Sequence, residues 1–282
     1  MSGTLFVVST PIGNLGDVTL RAVEVLSSVA AVLAEDTRHS RRLLEAYDVK
    51  TPMLAYHEHN EARMTPVLVA RLQGGESFAL VSDAGTPLLS DPGARLVTAA
   101  IDAGVPVSAV PGASALLAAL VSAGLDATRF TFYGFLARKG RERTEALSAI
   151  AASTHTSVLY EAPGRVGATL ADLAEAGAEN RPAAVARELT KAYEEIRRGT
   201  VGALGAYYAE QAPRGEVVIV VGGAVERVVD DAVVRERAAA LRMEGATARD
   251  IGRALVAEFG IGRNEAYRIA QTAEDPTEGE RT

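Results

Sequence analysis

Residues 78–87 read Phe-Ala-Leu-Val-Ser-Asp-Ala-Gly-Thr-Pro, and this stretch decides how the chain folds. The apolar run at its start predicts a short buried strand. The change to a polar residue, small residues and a proline predicts a loop. Small residues let a ligand approach the backbone closely, and the Asp83 carboxylate is suited to an amine or a hydroxyl. A tight turn without a ligand is the alternative interpretation.

The same ending, an apolar run followed by a polar residue, a proline or a glycine, recurs along the chain. The runs end at Pro11, Glu35-Asp36, Asp83, Pro111-Gly112, Glu161 and Glu188. In open α/β sheets, ligands bind outside the carboxyl ends of the strands. One such ending means little because turns are generally polar, but its repetition on successive strands predicts a shared cleft. The stretch Pro111–Ser114 also opens a helix, so it either binds polar ligand atoms or only caps that helix.

Apolar, β-branched runs alternate with helical patterns over most of the chain, which predicts parallel sheets with crossover helices. The predicted strands are Thr4–Ser9, Ala31–Ala34, Met53–Tyr56, Phe78–Ser82, Val107–Val110, Phe130–Phe135, Ser157–Tyr160, Ala183–Ala186 and Val217–Val221. The predicted helices include Thr19–Val29, Ser40–Ala46, Glu61–Leu72 and one from Pro92 to about Ala103. Gly124 and Asp126 mark a seam. We expect an α/β fold with two α/β domains, 1–123 and 124–226, whose sheets are mostly parallel.

Purely helical patterns follow from Val229 onward. The predicted helix signals are a cap at Asp230 or Asp231, a capping signal at Thr247–Asp250, a stop at Gly260 and a cap at Asn264. They predict a small C-terminal helical module, residues 227–282. This module is either a helical hairpin packed on the rest of the chain or a unit of the helix-turn-helix kind.

Composition narrows the class of protein. The 282-residue chain has no cysteine, which excludes disulfides and thiolate-bound zinc. A net charge of −7 does not attract a phosphate backbone, so an RNA-binding role must rest on local basic patches. The N-terminus lacks a signal-peptide pattern, and no window reaches the roughly 18–20 apolar residues of a membrane helix. These features predict a soluble protein of the reducing cytoplasm.

Several known site motifs are absent from the sequence. It has no G-x-x-x-x-G-K-[ST] loop and no strand-linked G-x-G-x-x-G, and Ser114 is not in a G-x-S-x-G elbow. A P-loop nucleotidase, an ordinary Rossmann cofactor site and a serine hydrolase are therefore disfavoured. His57 and His59 face one side of an extended chain, but few other imidazoles are available. We expect no catalytic metal, and His57 then contacts substrate or lies in a solvated loop.

Basic residues cluster in two places beside the proposed cleft. One cluster is Arg38, Arg41 and Arg42, and the other is Arg138, Lys139 and Arg141. A solvated helix face explains most such clusters. Their place beside cleft loops, in a chain of negative net charge, favours contacts with RNA phosphates.

Further motifs follow one another in a fixed order between about Thr4 and Gly223. They are STPIGNLGD at 9–17, EDTR at 35–38, YHEHNE at 56–61, SDAGTP at 82–87, PGAS at 111–114, YEAP at 160–163 and RELTK at 187–191. Together they resemble the ribosomal RNA small subunit methyltransferase I family of the tetrapyrrole methylase superfamily. Each fragment alone is weak, whereas the joint match is highly specific. The helical C-terminal module is similar to that family as well.

The resemblance implies a two-domain α/β fold, a homodimer, and S-adenosyl-L-methionine in the cleft between the domains. It implies methylation of the ribose 2′-oxygen of a cytidine in the decoding region of small-subunit rRNA. The implied cofactor contacts are Pro11, Asp83, Gly85, Thr86, Pro87, Ser114 and Ala115, and less securely Tyr160, Leu189, Glu216 and Val217. Tetrapyrrole-making members usually carry Gly-Asp-Pro where this chain has Asp83-Ala84-Gly85, which favours the RNA branch.

A ribose hydroxyl is a poor nucleophile, so a general base would raise the rate by about 10²–10⁴-fold. The candidates at strand ends are Asp36, Glu161 and Glu188, and Lys191 qualifies only if its pKa is depressed. We favour Glu188 or Glu161 as the base, with Lys191 and Arg38 orienting RNA. Ion pairing with neighbouring arginines is the alternative role for these carboxylates.

Three other functions remain open. A methyltransferase for a tetrapyrrole or another small molecule would share the cofactor site without needing the basic clusters. A non-catalytic nucleic-acid-binding protein that uses the C-terminal helices would not bind S-adenosylmethionine. A metal-dependent hydrolase would carry stoichiometric metal.

Overall fold

Residues 2–224, 231–259 and 263–272 are described by a computed structural model, in which the chain divides into two compact units, Met1–Ala224 and Val225–Thr282. The strands of the first unit are β1 Leu5–Val8, β2 Ala31–Ala34, β3 Met53–Ala55, β4 Phe78–Val81, β5 Val107–Val110, β6 Phe130–Phe135, β7 Thr156–Glu161, β8 Pro182–Arg187, β9 Glu195–Thr200 and β10 Val217–Val221. Its α-helices are α1 Leu20–Ser28, α2 Thr37–Ala46, α3 Glu61–Gln73, α4 Ala94–Asp102, α5 Ala115–Ser122, α6 Arg141–Ala152, α7 Val166–Leu173 and α8 Val201–Glu210. The second unit contains α9 Asp231–Met243, α10 Ala248–Phe259 and α11 Arg263–Thr272.

The first sheet has the strand order β3-β2-β4-β1-β5, and all its pairs are parallel, as predicted. Alternate residues of its strands enter two separate cores. Val32 and Ala34 of β2 pack in a core with Leu26 of α1, whereas Leu33 packs in a core with Leu68 of α3. Helices therefore cover both faces, which explains why β2 and β4 read as continuous apolar runs.

The second sheet has the strand order β6-β7-β10-β8-β9, and here the prediction of mostly parallel strands is wrong. Only β6 and β7 pair in parallel within this sheet, while β10 runs antiparallel to β7 and β8, and β8 runs antiparallel to β9. The connection from β8 to β9, residues 188–194, is too short for a crossover helix, so the two strands form a hairpin. The prediction missed β9 because its sequence, Glu-Ile-Arg-Arg-Gly-Thr, is charged.

Helix α5 follows the first sheet in the chain but packs against the second. Its buried residues Leu116 and Leu120 share a core with Val158 of β7 and Val218 of β10, and this core also includes Ile12 from the loop after β1. The core thereby connects elements of both sheets within the first unit. The domain boundaries 1–123 and 124–226 stay a prediction.

The segment between β4 and α4 is a long loop, where the sequence predicted a helix start at Pro92. Helix α4 begins at Ala94 after Gly93, whose φ of 130° is open mainly to glycine. A Cβ at Gly93 would lie 2.6 Å from Leu80 Cδ2, so the loop approaches β4 too closely for a side chain. Helix α2, by contrast, begins earlier than predicted because Asp36 accepts a 2.8 Å hydrogen bond from Arg38 N as its N-cap.

The second unit forms its own core. The buried side chains are Val234, Ala238, Ile251, Leu255, Ala266, Ile269 and Ala270, one face from each helix. Thr247 Oγ1 accepts a hydrogen bond from Asp250 N at 3.3 Å, as the capping signal predicts. Asp230 and Gly260, which the sequence assigned to a cap and a stop, lie outside the described residues. In the described ranges, no helix combines the length and apolar character needed to cross a bilayer.

Arg181, just before β8, is a buried cation that binds backbone carbonyls. Its Nη1 donates to Ile150 O at 2.5 Å and to Ala151 O at 3.1 Å, and its Nε donates to Gly222 O at 2.7 Å. Burial lowers the pKa of this guanidinium. The side chain therefore joins the ends of α6 and β10 to β8.

We predict that Arg181→Met destabilises the first unit by about 3 kcal/mol, because it removes the donor to Gly222 O and Ala151 O and leaves Ile150 O with the hydrogen bond from Ser153 N alone. Urea denaturation of the full chain measures this change. Arg129→Met removes an exposed arginine and should change the free energy of unfolding by less than about 0.5 kcal/mol. Equal stability of the two variants would contradict the role of Arg181.

Candidate active site

Loops at the carboxyl ends of β1, β4 and β5 are tied together by hydrogen bonds. Thr10 N donates to Gly85 O at 2.8 Å, and Gly85 N donates to Thr10 O at 3.1 Å. The hydroxyls of Ser9 and Thr86 lie 2.9 Å apart, and Thr86 Oγ1 donates to Ala113 O at 3.2 Å. These contacts hold the three loops together, and we call the joined loops the floor of the site.

The loop after β8 reaches the loop after β1. Thr190 Oγ1 donates to Asp17 Oδ2 at 2.5 Å. The alkyl stem of Lys191 lies over Gly13, where a Cβ would come 2.3 Å from Lys191 Cε. The two sheets therefore present their loops to the same space.

A cavity of about 390 Å³ lies between these loops. It is lined by Ile12, Asp83–Thr86, Leu89–Asp91, Ala115, Phe135, Tyr160–Pro163, Leu189 and Gly215–Val218. Its volume falls in the range of about 300–1,000 Å³ that is usual for small-molecule sites. Small and apolar side chains form most of the wall, and a few carboxylates interrupt it. Of the strand endings in the prediction, Asp83 and Glu161 line this cavity, and Ile12 and Leu189 directly follow Pro11 and Glu188, whereas Glu35-Asp36 and Pro111-Gly112 do not line it.

Backbone strain is concentrated around this cavity. Leu88, Ser90, Glu188 and Thr190 have φ values of 75°, 73°, 49° and 66°. A non-glycine residue in this left-handed region costs about 1–2 kcal/mol. Among the described residues the only other such case is Asp48, just after α2. Strain of this kind persists where the surrounding structure must hold a site in one geometry.

Most of the predicted cofactor-binding residues lie together in the cavity wall. Those in the wall are Asp83, Gly85, Thr86, Ala115, Tyr160, Leu189, Glu216 and Val217. Pro11, Pro87 and Ser114 are not among the lining residues. Ser114 instead caps α5 by accepting a hydrogen bond from Leu117 N at 3.5 Å, which was the alternative interpretation. The binding roles themselves stay predictions.

The sequence interpretation missed two notable residues of the wall. Asp91 is absent from the predicted strand endings because the sequence predicts a helix that begins at Pro92. The sequence predicts Phe135 only as the last residue of a strand, yet it is 59% exposed, and its ring lies 5.5 Å from that of Tyr160. The run Ser90–Gly93, with a proline and a glycine, was the signal for a loop.

Glu188, Lys191 and Glu216 form a network at the edge of the cavity. Lys191 Nζ donates to Glu188 Oε1 and to Glu216 Oε2, both at 2.9 Å. Hydrogen bonds from Lys191 and from Glu216 N lower the pKa of Glu188. Burial on its own lowers the pKa of Lys191, but hydrogen bonds to Glu216 and Glu188 outweigh it and the pKa is raised. Lys191 is therefore a cation, so it does not meet the condition stated for a base, and these contacts favour a positioning role.

Glu161 lies in the wall with both carboxylate oxygens occupied. Its side chain has no exposed area, its Oε1 accepts from Ala162 N at 2.8 Å, and Oε1 lies 3.3 Å from Arg165 Nε. Its Oε2 accepts from Thr169 Oγ1 at 2.6 Å. This is the ion-paired arrangement that the sequence left open as the alternative, and a catalytic role for Glu161 stays a prediction.

Of the residues predicted to contact RNA, Arg138, Lys139 and Arg141 follow the cavity residue Phe135, whereas Arg38, Arg41 and Arg42 follow β2, whose loop does not line the cavity. The exposed ones are Arg38, Arg41 and Arg42 of α2, Arg138 and Lys139 of the loop after β6, and Arg141 of α6. Hydrogen bonds from Arg38 hold the pKa of Asp36 at about 2, so Asp36 is a poor base. His57 is half-buried after β3. No cluster of three or more metal-ligating side chains occurs in the described part of the chain.

Comparison with known proteins assigns the chain to a family. Residues 4–205 match the family described as Tetrapyrrole (Corrin/Porphyrin) Methylases. The chain belongs to the tetrapyrrole methylase family. Ribosomal RNA small subunit methyltransferase I of Synechocystis sp. is 44% identical to it, over 95% of this chain and 97% of the relative. The proteins of that name from Micromonospora olivasterospora and Escherichia coli O157:H7 are 44% and 41% identical, over 96% and 95% of this chain and 88% and 94% of their own lengths. The resemblance drawn from the motifs is thereby confirmed.

Several solved structures share the fold. Uroporphyrin-III-C-methyltransferase from Thermus thermophilus has a TM-score of 0.56 at 25% identity, over 78% of this chain and 94% of that one. A structure of the Thermus thermophilus enzyme complexed with S-adenyl homocysteine has a TM-score of 0.55 at 19% identity, over 78% and 97% of the two chains. Diphthine synthase has a TM-score of 0.59 at 16% identity, over 78% of this chain and 90% of that one.

The cavity fits S-adenosylmethionine, the methyl donor of this family. Phe135, Tyr160 and Leu189 offer apolar and aromatic surface for an adenine ring. The carboxylates of Asp83 and Glu216 suit hydroxyl and ammonium groups. Gly85, with φ of 83°, lets the ligand reach the backbone of the floor.

We predict that Gly85→Ala weakens S-adenosylmethionine binding about tenfold, or ~1.4 kcal/mol, in calorimetry. The added methyl group would lie 3.2 Å from Ile12 Cγ2, and both residues line the cavity. Gly104→Ala is the matched control: its φ is 71°, and no described atom lies within 4 Å of the new Cβ. Both variants carry similar backbone strain, so equal affinities would place the cofactor elsewhere.

Proposed function

We propose that the chain transfers a methyl group from S-adenosylmethionine to the ribose 2′-hydroxyl of a cytidine in small-subunit ribosomal RNA. The cavity carries the proposal, because loops of both sheets enclose a donor-sized space. The name of the relatives, Ribosomal RNA small subunit methyltransferase I, supports ribosomal RNA as the substrate. The choice of a cytidine ribose rests on the motif resemblance.

The cavity wall suits a reaction in which charge disappears. S-adenosylmethionine supplies a methyl group on a positively charged sulfur, and that charge is lost as the methyl group is transferred. Ile12, Leu189 and Val218 exclude water from the space without stabilising a cation, which favours the transition state over the bound donor. The floor joined at Thr10 and Gly85 fixes the orientation of the donor, and orientation supplies a large part of many rate enhancements.

Basic residues beside the cavity support a polyanionic substrate. Phe135 lines the cavity, and Arg138 and Lys139 follow it in an exposed loop. Arg41 and Arg42 are exposed on α2, which begins at the carboxyl end of β2. We propose that both clusters hold RNA phosphates, with Lys191 and Arg38 orienting the strand and His57 contacting it.

We further propose that the protein acts as a homodimer in the cytoplasm, as the resemblance implies. Leu117 and Val121 of α5 are 50% and 73% exposed, although the opposite face of this helix is buried. Phe130 at the edge of the second sheet is 40% exposed. Exposed apolar residues on one face of a helix and at the edge of a sheet are candidates for contacts between subunits.

A methyltransferase acting on a tetrapyrrole is the second candidate, because the family description and the solved uroporphyrin-III C-methyltransferase structures point to it. It would use the same cavity for the donor. It would not require the exposed arginines near the cavity, which gives a clear test between the two substrates.

We predict that the purified chain, given methyl-labelled S-adenosylmethionine and small ribosomal subunits lacking the modification, places label in a single cytidine. That nucleotide should resist alkaline cleavage, because a methylated 2′-oxygen cannot attack the neighbouring phosphate. Fully modified subunits are the control and should accept no label. Label on a base, or label only in an added tetrapyrrole, would contradict the proposal.

We predict that replacing Arg138, Lys139 and Arg141 together with alanine lowers RNA affinity and leaves S-adenosylmethionine affinity unchanged. The slope of log K against log salt should fall by about 2 units, because roughly three phosphate contacts to single-stranded RNA are lost. The control variant replaces Lys50, Arg63 and Arg129, which are exposed and remove the same charge. Equal RNA affinity of the two variants would favour the small-molecule candidate.

A further inference from the structure

The loop between β4 and α4 places Asp91 in the cavity wall. Asp91 is half-buried and shares the cavity with Asp83 of the same loop and Tyr160 of the second sheet. The preceding residue, Ser90, has a φ of 73°, and a Cβ at Gly134 would lie 2.9 Å from Ser90 Oγ. Strand β6 therefore packs closely on this turn, so both sheets hold the segment that carries Asp91.

Asp91 differs from the other carboxylates of the wall in its contacts. Glu161 and Glu216 each form an ion pair with a cation, at 3.3 Å and 2.9 Å. Asp83 accepts a backbone hydrogen bond at 3.1 Å. No ion pair involves Asp91 within the described residues, and the hydroxyl of Ser82 is the nearby polar group that lowers its pKa. Its carboxylate is thus the one in the described wall that is free of a cation and a backbone donor.

The surroundings of Asp91 favour its protonated form. Burial is the main cause, Glu35 and Asp83 add to it, and the Ser82 hydroxyl opposes it, which gives Asp91 a pKa of about 6. Tyr160 faces it from β7, and the pKa of Tyr160 is raised by burial and also by Asp91. An aspartate with such a pKa is largely ionised at pH 7 yet accepts a proton more readily than an ordinary one.

The bases favoured from the sequence are less suited to proton transfer. Glu188 is bonded to Lys191, which lowers its pKa and makes it a weaker proton acceptor. Glu161 has no exposed side-chain area, and both of its oxygens already accept hydrogen bonds. Glu161 would have to lose a hydrogen bond before it could receive a proton. Both hydrogen bonds to Glu188 end on Oε1, so its disadvantages are the lowered pKa and a position outside the cavity lining.

We propose that Asp91 is the general base that takes the proton of the attacking ribose hydroxyl, an inference that rests on the proposed function. The 2′-oxygen forms a bond to the methyl carbon, and the carbon–sulfur bond breaks with its electron pair remaining on sulfur. The hydroxyl proton passes to the Asp91 carboxylate. Asp91 then releases this proton to water, and the ionised carboxylate is restored.

Single-turnover methylation of small ribosomal subunits across pH tests this role. The wild-type rate should rise with pH through about 6, because only the ionised carboxylate accepts a proton. Asp91→Asn, nearly the same in shape, should be slower by about 10²–10⁴-fold and lack this rise. Asp91→Glu should keep the rise at a reduced rate. Asp102→Asn, an exposed position on α4, loses the same charge and should match wild type.

Two measurements without turnover separate a base from a structural or binding group. Calorimetry should give the same S-adenosylmethionine affinity for wild type and Asp91→Asn within about threefold. Carbon-13 NMR of the full chain labelled at aspartate carboxyls should show one group titrating near pH 6, which is absent in Asp91→Asn.

Three results would overturn the role of Asp91: an unchanged rate or pH profile in Asp91→Asn, a donor affinity that falls as much as the rate, or no carboxyl titrating near pH 6. Failure of the proposed function gives a different result, since wild-type enzyme would then place no label on ribose. Normal ribose labelling by both wild type and Asp91→Asn would reject the base alone.

Discussion

The reciprocal hydrogen bonds between Thr10 and Gly85 are the constraint on which the site depends. Strands β1 and β4 are adjacent and parallel, so their carboxyl ends emerge side by side, and the bridge prevents the two loops from separating. This fixes the start of the loop that carries Asp83 and, further along, Asp91. Backbone donors and acceptors make the bridge, so it depends on the φ of glycine at 85 rather than on particular side chains.

The first sheet could be predicted from the sequence because buried parallel strands leave a strong local signal. The observed ends of β1, β3 and β4 differ from the predicted ones by a single residue. Four of the five strands of the second sheet were also predicted, and the observed ends of β6 and β10 match the predicted ones, but β9 and the strand directions were not predicted. Its strand β9 is charged, and its antiparallel pairs depend on which strands lie side by side, which no local window of sequence contains.

In the site, too, local sequence motifs could be predicted, whereas contacts that depend on the fold could not. Asp83, Gly85, Tyr160 and Leu189 were predicted because short motifs carry them, and all four line the cavity. The pairing state of the carboxylates was beyond local reasoning, since Lys191 meets Glu216 only through the fold, from a position 25 residues away. The proton affinity of a carboxylate depends on its surroundings in the folded protein. The sequence can therefore identify the carboxylates of a site but not which of them is the best proton acceptor.

The contact of Gly13 with Lys191 also couples the evolution of the two sheets. The lysine stem occupies the space that any larger residue at position 13 would need, and the same lysine neutralises two carboxylates of the second sheet. A substitution at one of the two positions therefore requires a compensating substitution at the other, so homologues should differ at both positions or at neither. Chimeras that join the first sheet of one methylase to the second sheet of another will assemble well only when this pair is inherited together.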